Sequence, residues 1–173
     1  AFLGSAFLVA LFTMFIIIVA QFNSLSSPFI IMMAVLFSTI GVGLGYFFFG
    51  GVFSVIFTGV GIISLAGVVV NNAIVLIDYT SLLMRNKAKK QQVESMYTIG
   101  RQEVFESIIE GGATRLRPVL LTAITTVLGL IPLAIGFNFN FFTLISRWDP
   151  QFFIGGDNTA IWGPMAWTVI YGL

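Results

Sequence analysis

Long runs of apolar positions dominate the chain, most of them near the 20 or so residues that carry a helix across a bilayer. They fall at residues 1–21, 28–49, 52–77 and 118–137, with a shorter run at 159–173. Polar and apolar residues do not alternate within them, as they would in barrel strands. An open strand edge in lipid would leave backbone groups unpaired, so the runs predict helices. The breaks are legible. "NSLSSP" (Asn23–Pro28) ends the first run and sets Pro28 at the start of the second, where its missing N–H costs nothing. Gly50–Gly51 separates the second from the third. The expected fold is all-α: a polytopic transmembrane helical bundle of four complete spans and one truncated span, treated as a single membrane domain over 1–173. The chain opens inside an apolar run, "AFLGSAFLVALF", with no basic leader of the kind a signal peptide carries. It stops inside another, which predicts a segment cut within helices at both ends.

Charge sharpens this picture. The 173 residues are 58% hydrophobic and 9% charged, where a soluble domain carries charge on roughly a quarter of its residues. No Asp, Glu, Lys or Arg occurs from Ala1 to Ile77, and Asp78 is the first charge. Seven of the eight basic residues (Arg85, Lys87, Lys89, Lys90, Arg101, Arg115 and Arg117) fall in the loop 78–117. By the bias of Lys and Arg toward the inside, that loop is expected to be cytoplasmic and the loop 138–158 to lie on the outer face. Within the inner loop, "RQEVFESIIEGGATRLRP" puts Val104, Phe105, Ile108 and Ile109 on one helical side, with Glu103, Glu106 and Glu110 on another. Gly111–Gly112 is a plausible stop. The spacing predicts a short cytoplasmic amphipathic helix, resting on the membrane surface or packed as a connector on its neighbours.

With neither Cys nor His in the chain, thiol catalysis, disulfides and soft-metal sites are excluded. No catalytic group, cofactor or metal centre is predicted, and no nucleic-acid partner; the medium in contact is membrane lipid. An enzyme is the weakest class, because the outer-face acids Asp149 and Asp157 have no nucleophile–base pair beside them. "GVGLG" (Gly41–Gly45) follows no strand and so is no nucleotide loop. Gly41 and Gly45 instead form a small-xxx-small pair that lets helices approach closely. The aromatics Phe139, Phe141, Phe142, Trp148, Phe152 and Phe153 beside "GGDN" read as an interfacial belt.

The candidate chemistry lies in two polar stripes. Positions seven apart share a helix face and differ in height by roughly 10 Å. Ser64, Asn71 and Asp78 make one such stripe, flanked by Asn72. Arg115 and Thr122 make another, which Thr125, Thr126 and Gly129 continue. On antiparallel helices Asp78 would stand level with Arg115, and Asn71 with Thr122. Polar groups inside a membrane are costly and turn to the bundle interior. Two explanations stay open. Each amide can be interhelical glue worth about 0.6 kcal/mol, and each threonine can bond its own helix; or the matched stripes form a polar path. Arg117 reads as an anchor near the headgroups.

"GVVVNNAIVLIDY" (Gly67–Tyr79), a basic loop and then "EGGATRLRPVLLTAITTVLGLIPLA" resemble the C-terminal membrane half of resistance–nodulation–division (RND) permeases, most closely the drug-exporting, hydrophobe/amphiphile branch. The resemblance extends over the whole chain, including "AQFNSLSSPF". It implies a multi-pass segment of a proton-coupled efflux antiporter in the bacterial inner membrane, without an enzymatic role. It implies a homotrimer with a periplasmic adaptor protein and an outer-membrane channel as partners, and a missing N-terminal half of the same chain that supplies the acids. By motif position, Asn71, Asn72, Arg115 and Thr122 would belong to the proton relay, with Ser64, Asp78, Thr125 and Thr126 supporting it. Many drug exporters carry lysine at the position of Asn71, which here is neutral. A metal-exporting relative, and a structural membrane subunit whose stripes are only glue, are the alternatives.

Overall fold

The computed structural model describes residues 2–90, 99–139, 145 and 152–173. Its elements are α1 (Phe2–Phe22), α2 (Ser26–Phe49), α3 (Val55–Lys90), α4 (Arg101–Ile135), β1 (Phe137–Phe139), β2 (Phe152–Ile154) and α5 (Asp157–Gly172). The first four helices are long and apolar enough to cross a membrane, and α5, with 16 residues, is shorter. The fold is thus the expected all-α bundle, with one small antiparallel hairpin pairing Phe137 with Ile154 and Asn138 with Phe153. Of the aromatic belt, Phe141, Phe142, Trp148 and the side chain of Phe139 lie outside the described residues, as does Asp149.

The turns follow from local chemistry. Asn23 closes α1 at φ 45° with its N–H on the Val19 carbonyl, a conformation that asparagine tolerates better than most residues. Gly50 ends α2 at φ 70°. Helices α3 and α4 have 36 and 35 residues, about 50 Å each, so both outrun a hydrocarbon core of about 30 Å. Their excess is the charged part. The sequence pattern predicts a separate short helix stopping at Gly111–Gly112. Instead, residues 101–117 are the opening turns of α4 and run alongside α3. The reason is contact: a Cβ on Gly111 would stand 2.6 Å from Thr80 Oγ1, so this glycine serves close helix approach and not termination. Lys87 Nζ to Glu106 Oε2 at 3.3 Å and a buried Ser107, whose hydroxyl donates to the Glu103 carbonyl at 2.7 Å, tie down this charged end. Phe105, Ile108 and Ile109 remain exposed.

The core forms where α5 packs against α2, α3 and α4. Val42, Leu65 and Val169 make one buried cluster; Ile18, Ile31, Val35, Ala66 and Val70 make another between α1, α2 and α3. Small residues let the helices close. The Gly41–Gly45 pair receives Tyr171 of α5, and Gly61 faces Thr168 and the Met165 carbonyl. Beside them the Tyr46 hydroxyl lies 2.9 Å from the Pro164 carbonyl, 3.0 Å from Thr168 Oγ1 and 3.5 Å from Thr58 Oγ1. One phenol thereby links α2, α3 and α5 through groups that lipid could not satisfy.

Candidate functional site

Three contacts fix how α3 and α4 face each other. Near the charged end Lys87 meets Glu106. One level deeper, the Arg115 guanidinium lies over the Tyr79 ring, 4.4 Å from its centroid. Deeper again, Thr122 Oγ1 is 3.4 Å from Asn72 Oδ1. Tyr79 and Asn72 are seven residues apart, as are Arg115 and Thr122, so each step is about 10 Å along the helices. The two helices run antiparallel at matched depth.

The depth is as the stripes require, but the face of α3 that meets α4 is turned by one residue. Asn72 and Tyr79 approach α4, and Leu65, seven residues back, continues that stripe into the core at 1% exposure. Ser64, Asn71 and Asp78 lie on the adjacent stripe and are exposed. The structure therefore brings together Asn72 with Thr122, and Arg115 with Tyr79. It does not bring Asn71 to Thr122 or Asp78 to Arg115. Tyr79 was not among the residues predicted from the sequence, although its spacing of seven from Asn72 was available as a signal.

The threonines divide. Thr122 Oγ1 stands 2.8 Å from the Val119 carbonyl as well as near Asn72. One hydroxyl proton serves the shorter contact, which leaves a lone pair for the Asn72 amide if that group turns its NH₂ toward Oγ1. Thr125 bonds the carbonyls of Leu121 and Thr122, and Thr126 that of Thr122, so both are satisfied within α4. Arg115 is half-buried, and its Nε is buried with no hydrogen bond among the described residues. The aromatic face thus sets the plane of the guanidinium, a favourable arrangement for a cation over a ring. Asn72 also borders a cavity of about 510 Å³, shared with Ser38, Val69, Leu120 and Ala123. Chemically, the site offers, among the described residues, one fixed cation, amide and hydroxyl donors, and no acid at its centre.

The pattern of the AcrB/AcrD/AcrF family matches residues 3–138. Among related proteins, the swarming motility protein SwrC of Bacillus subtilis is 37% identical over 135 residues, 78% of this chain and 11% of its own length. The multidrug resistance protein MdtF of Escherichia coli is 28% identical over 127 residues, 73% of this chain and 11% of its own. The cobalt-zinc-cadmium resistance protein CzcA of Cupriavidus metallidurans is 31% identical over 128 residues, 73% of this chain and 10% of its own. The chain thus spans about a tenth of the length of these relatives. No solved structure matches it.

Proposed function

We propose, for a chain that belongs to the AcrB/AcrD/AcrF family of RND transporters, that it forms part of the membrane domain of a proton-coupled exporter in the bacterial inner membrane. In this reading the residues between α3 and α4 are one wall of the proton path. Acidic groups from the rest of the protein complete it against the exposed Ser64–Asn71–Asp78 stripe. Asn72 and Thr122 supply donors and acceptors at mid-depth, Arg115 supplies the counter-charge nearer the basic end, and Asn71 presents its amide to the acids. The supporting observation is the pairing of Asn72 with Thr122 and Tyr79 with Arg115 at matched depth, beside a polar stripe that no described residue covers. Amphiphilic drugs are the proposed cargo, on the strength of the "NNAIVLIDY" run. A homotrimer, a periplasmic adaptor protein and an outer-membrane channel complete the proposed assembly. The relatives named for multidrug and for metal resistance make cargo a matter for assay.

The test is proton-driven export by the full-length protein in proteoliposomes. Asn72→Ala and Thr122→Val should each slow transport about tenfold, the equivalent of losing roughly 1.4 kcal/mol of hydrogen bonding in the transport cycle. A second reading, helix glue alone, is favoured by the Asn72–Thr122 contact, which joins α3 to α4 directly, while Thr125 and Thr126 spend their hydroxyls inside α4 and add nothing to a path. Under that reading both variants lower thermal stability while surviving protein transports normally.

Tyr79 provides a separate check. Tyr79→Leu removes the face under the guanidinium and should reduce transport about fivefold, from roughly 1 kcal/mol of cation–π attraction. Tyr79→Phe keeps the ring and should retain activity. Equal loss in both variants would move the role to the hydroxyl.

A further inference from the structure

The hairpin after α4 is built from side chains that a water-facing turn would not carry. On one face of the two-stranded sheet lie Phe137, Phe152 and Ile154, exposed by 44%, 63% and 74%. Phe137 and Phe152 stack with centroids 5.5 Å apart. On the other face Phe153, exposed by 52%, stands opposite Asn138, so the hairpin offers apolar surface on both faces and the larger share on the first.

The position of the hairpin gives this face a neighbour. From Arg117, the last charge in α4, to Phe137 is a climb of about 30 Å, which is the thickness of the hydrocarbon core. The strands therefore begin where α4 leaves the core, at the interface opposite the basic end. That is the depth at which aromatic rings are favoured.

The polar groups at the base of the hairpin are already paired. The Asn138 side-chain amide donates to the carbonyls of Gly136 at 3.0 Å and Gly155 at 2.8 Å. The Gly155 N–H donates to the Gly136 carbonyl at 2.9 Å. Unpaired carbonyls would hold such a turn in water, because each costs several kcal/mol to move into hydrocarbon. Here they are spent inside the turn. Gly136 itself sits at φ 69° against Thr159, which fixes the hairpin to the start of α5.

From this depth, the apolar side chains exposed on the strands and the closed base, we infer that the Phe137–Phe152–Ile154 face is a membrane-interface anchor, seated in the acyl–headgroup boundary of the leaflet opposite the basic loop. It holds the α4–α5 connection at a set depth. The occupant is bilayer lipid.

Spin labels on the full-length protein in phospholipid nanodiscs test this. Phe152→Cys and Ile154→Cys are labelled in turn, with Phe47→Cys on the exposed face of α2 as the lipid standard and Lys89→Cys as the aqueous standard. Collision with oxygen is compared with collision with a soluble nickel chelate. At both hairpin sites the oxygen-to-nickel ratio should exceed that of Lys89 by about threefold or more, because the polar chelate is excluded from the bilayer. A ratio matching Lys89 would place the face in water and overturn the inference. Low collision with both reagents would place it against protein, such as a second copy of the chain, and would also overturn it. Phe137→Cys supplies a third reading if either strand variant fails to fold.

Discussion

Asn71→Lys in the full-length transporter should move the midpoint of proton-driven export toward acid by about one to three pH units, the range by which a cation within 4–6 Å lowers a carboxylate pKa. Asn71 is exposed on α3, on the stripe that faces away from α4. In the proposed site that stripe meets the acids of the rest of the protein. A neutral amide can donate a hydrogen bond to a carboxylate but brings no charge. An ammonium in its place favours the ionised acid, so protonation then requires a lower pH. Arg115 is the fixed cation already present, and it is turned toward Tyr79. If Arg115 alone sets the counter-charge, Arg115→Gln should move the profile toward alkaline pH and Asn71→Lys should leave it in place. Transport assayed across an imposed proton gradient between pH 5 and 8 separates the two. An unshifted profile for Asn71→Lys would remove Asn71 from contact with the titrating acids.

The sequence carried the large features because they follow from solvent. Twenty apolar residues without charge can only be a span, and the runs that predicted α1 to α4 are the four helices long enough to cross. The depth of the site was also legible, since a seven-residue step has the same rise on any helix: Asn72–Tyr79 and Thr122–Arg115 keep that step. Rotation was not legible. The Ser64–Asn71–Asp78 stripe is the more polar, but Leu65 at 1% exposure shows that the neighbouring stripe is the one pulled inward. Packing of α5 on Leu65 decides this, and α5 is remote in sequence. The same limit explains Gly111. A glycine pair reads as a stop in sequence, and only the approach of Thr80 reveals it as a contact. The Tyr46–Thr58–Thr168 group gave no local signal, because its members come from three helices.

Gly45→Ala should cost about 1–3 kcal/mol, the usual range for overpacking a tight core, and should lower the apparent melting temperature of the purified full-length protein. A Cβ at this position would overlap Cβ and Cγ of Tyr171 and stand 2.8 Å from its Cδ2. Those atoms lie close to the backbone of α5, so rotating the ring cannot relieve the overlap and the helix itself must move. Movement of α5 would draw the Pro164 carbonyl and Thr168 Oγ1 away from the Tyr46 hydroxyl, now 2.9 and 3.0 Å distant. In a membrane interior those groups find no water in exchange. The same shift would lengthen the bond from Ser38 Oγ to the Gly172 carbonyl, at 2.8 Å. Tyr171→Gly removes the obstructing atoms. The cost of Gly45→Ala should therefore largely vanish in the Tyr171→Gly background, which a double-mutant cycle on melting temperature reads directly. Equal cost in both backgrounds would mean that the Gly41–Gly45 surface of α2 does not seat α5 in the assembled protein.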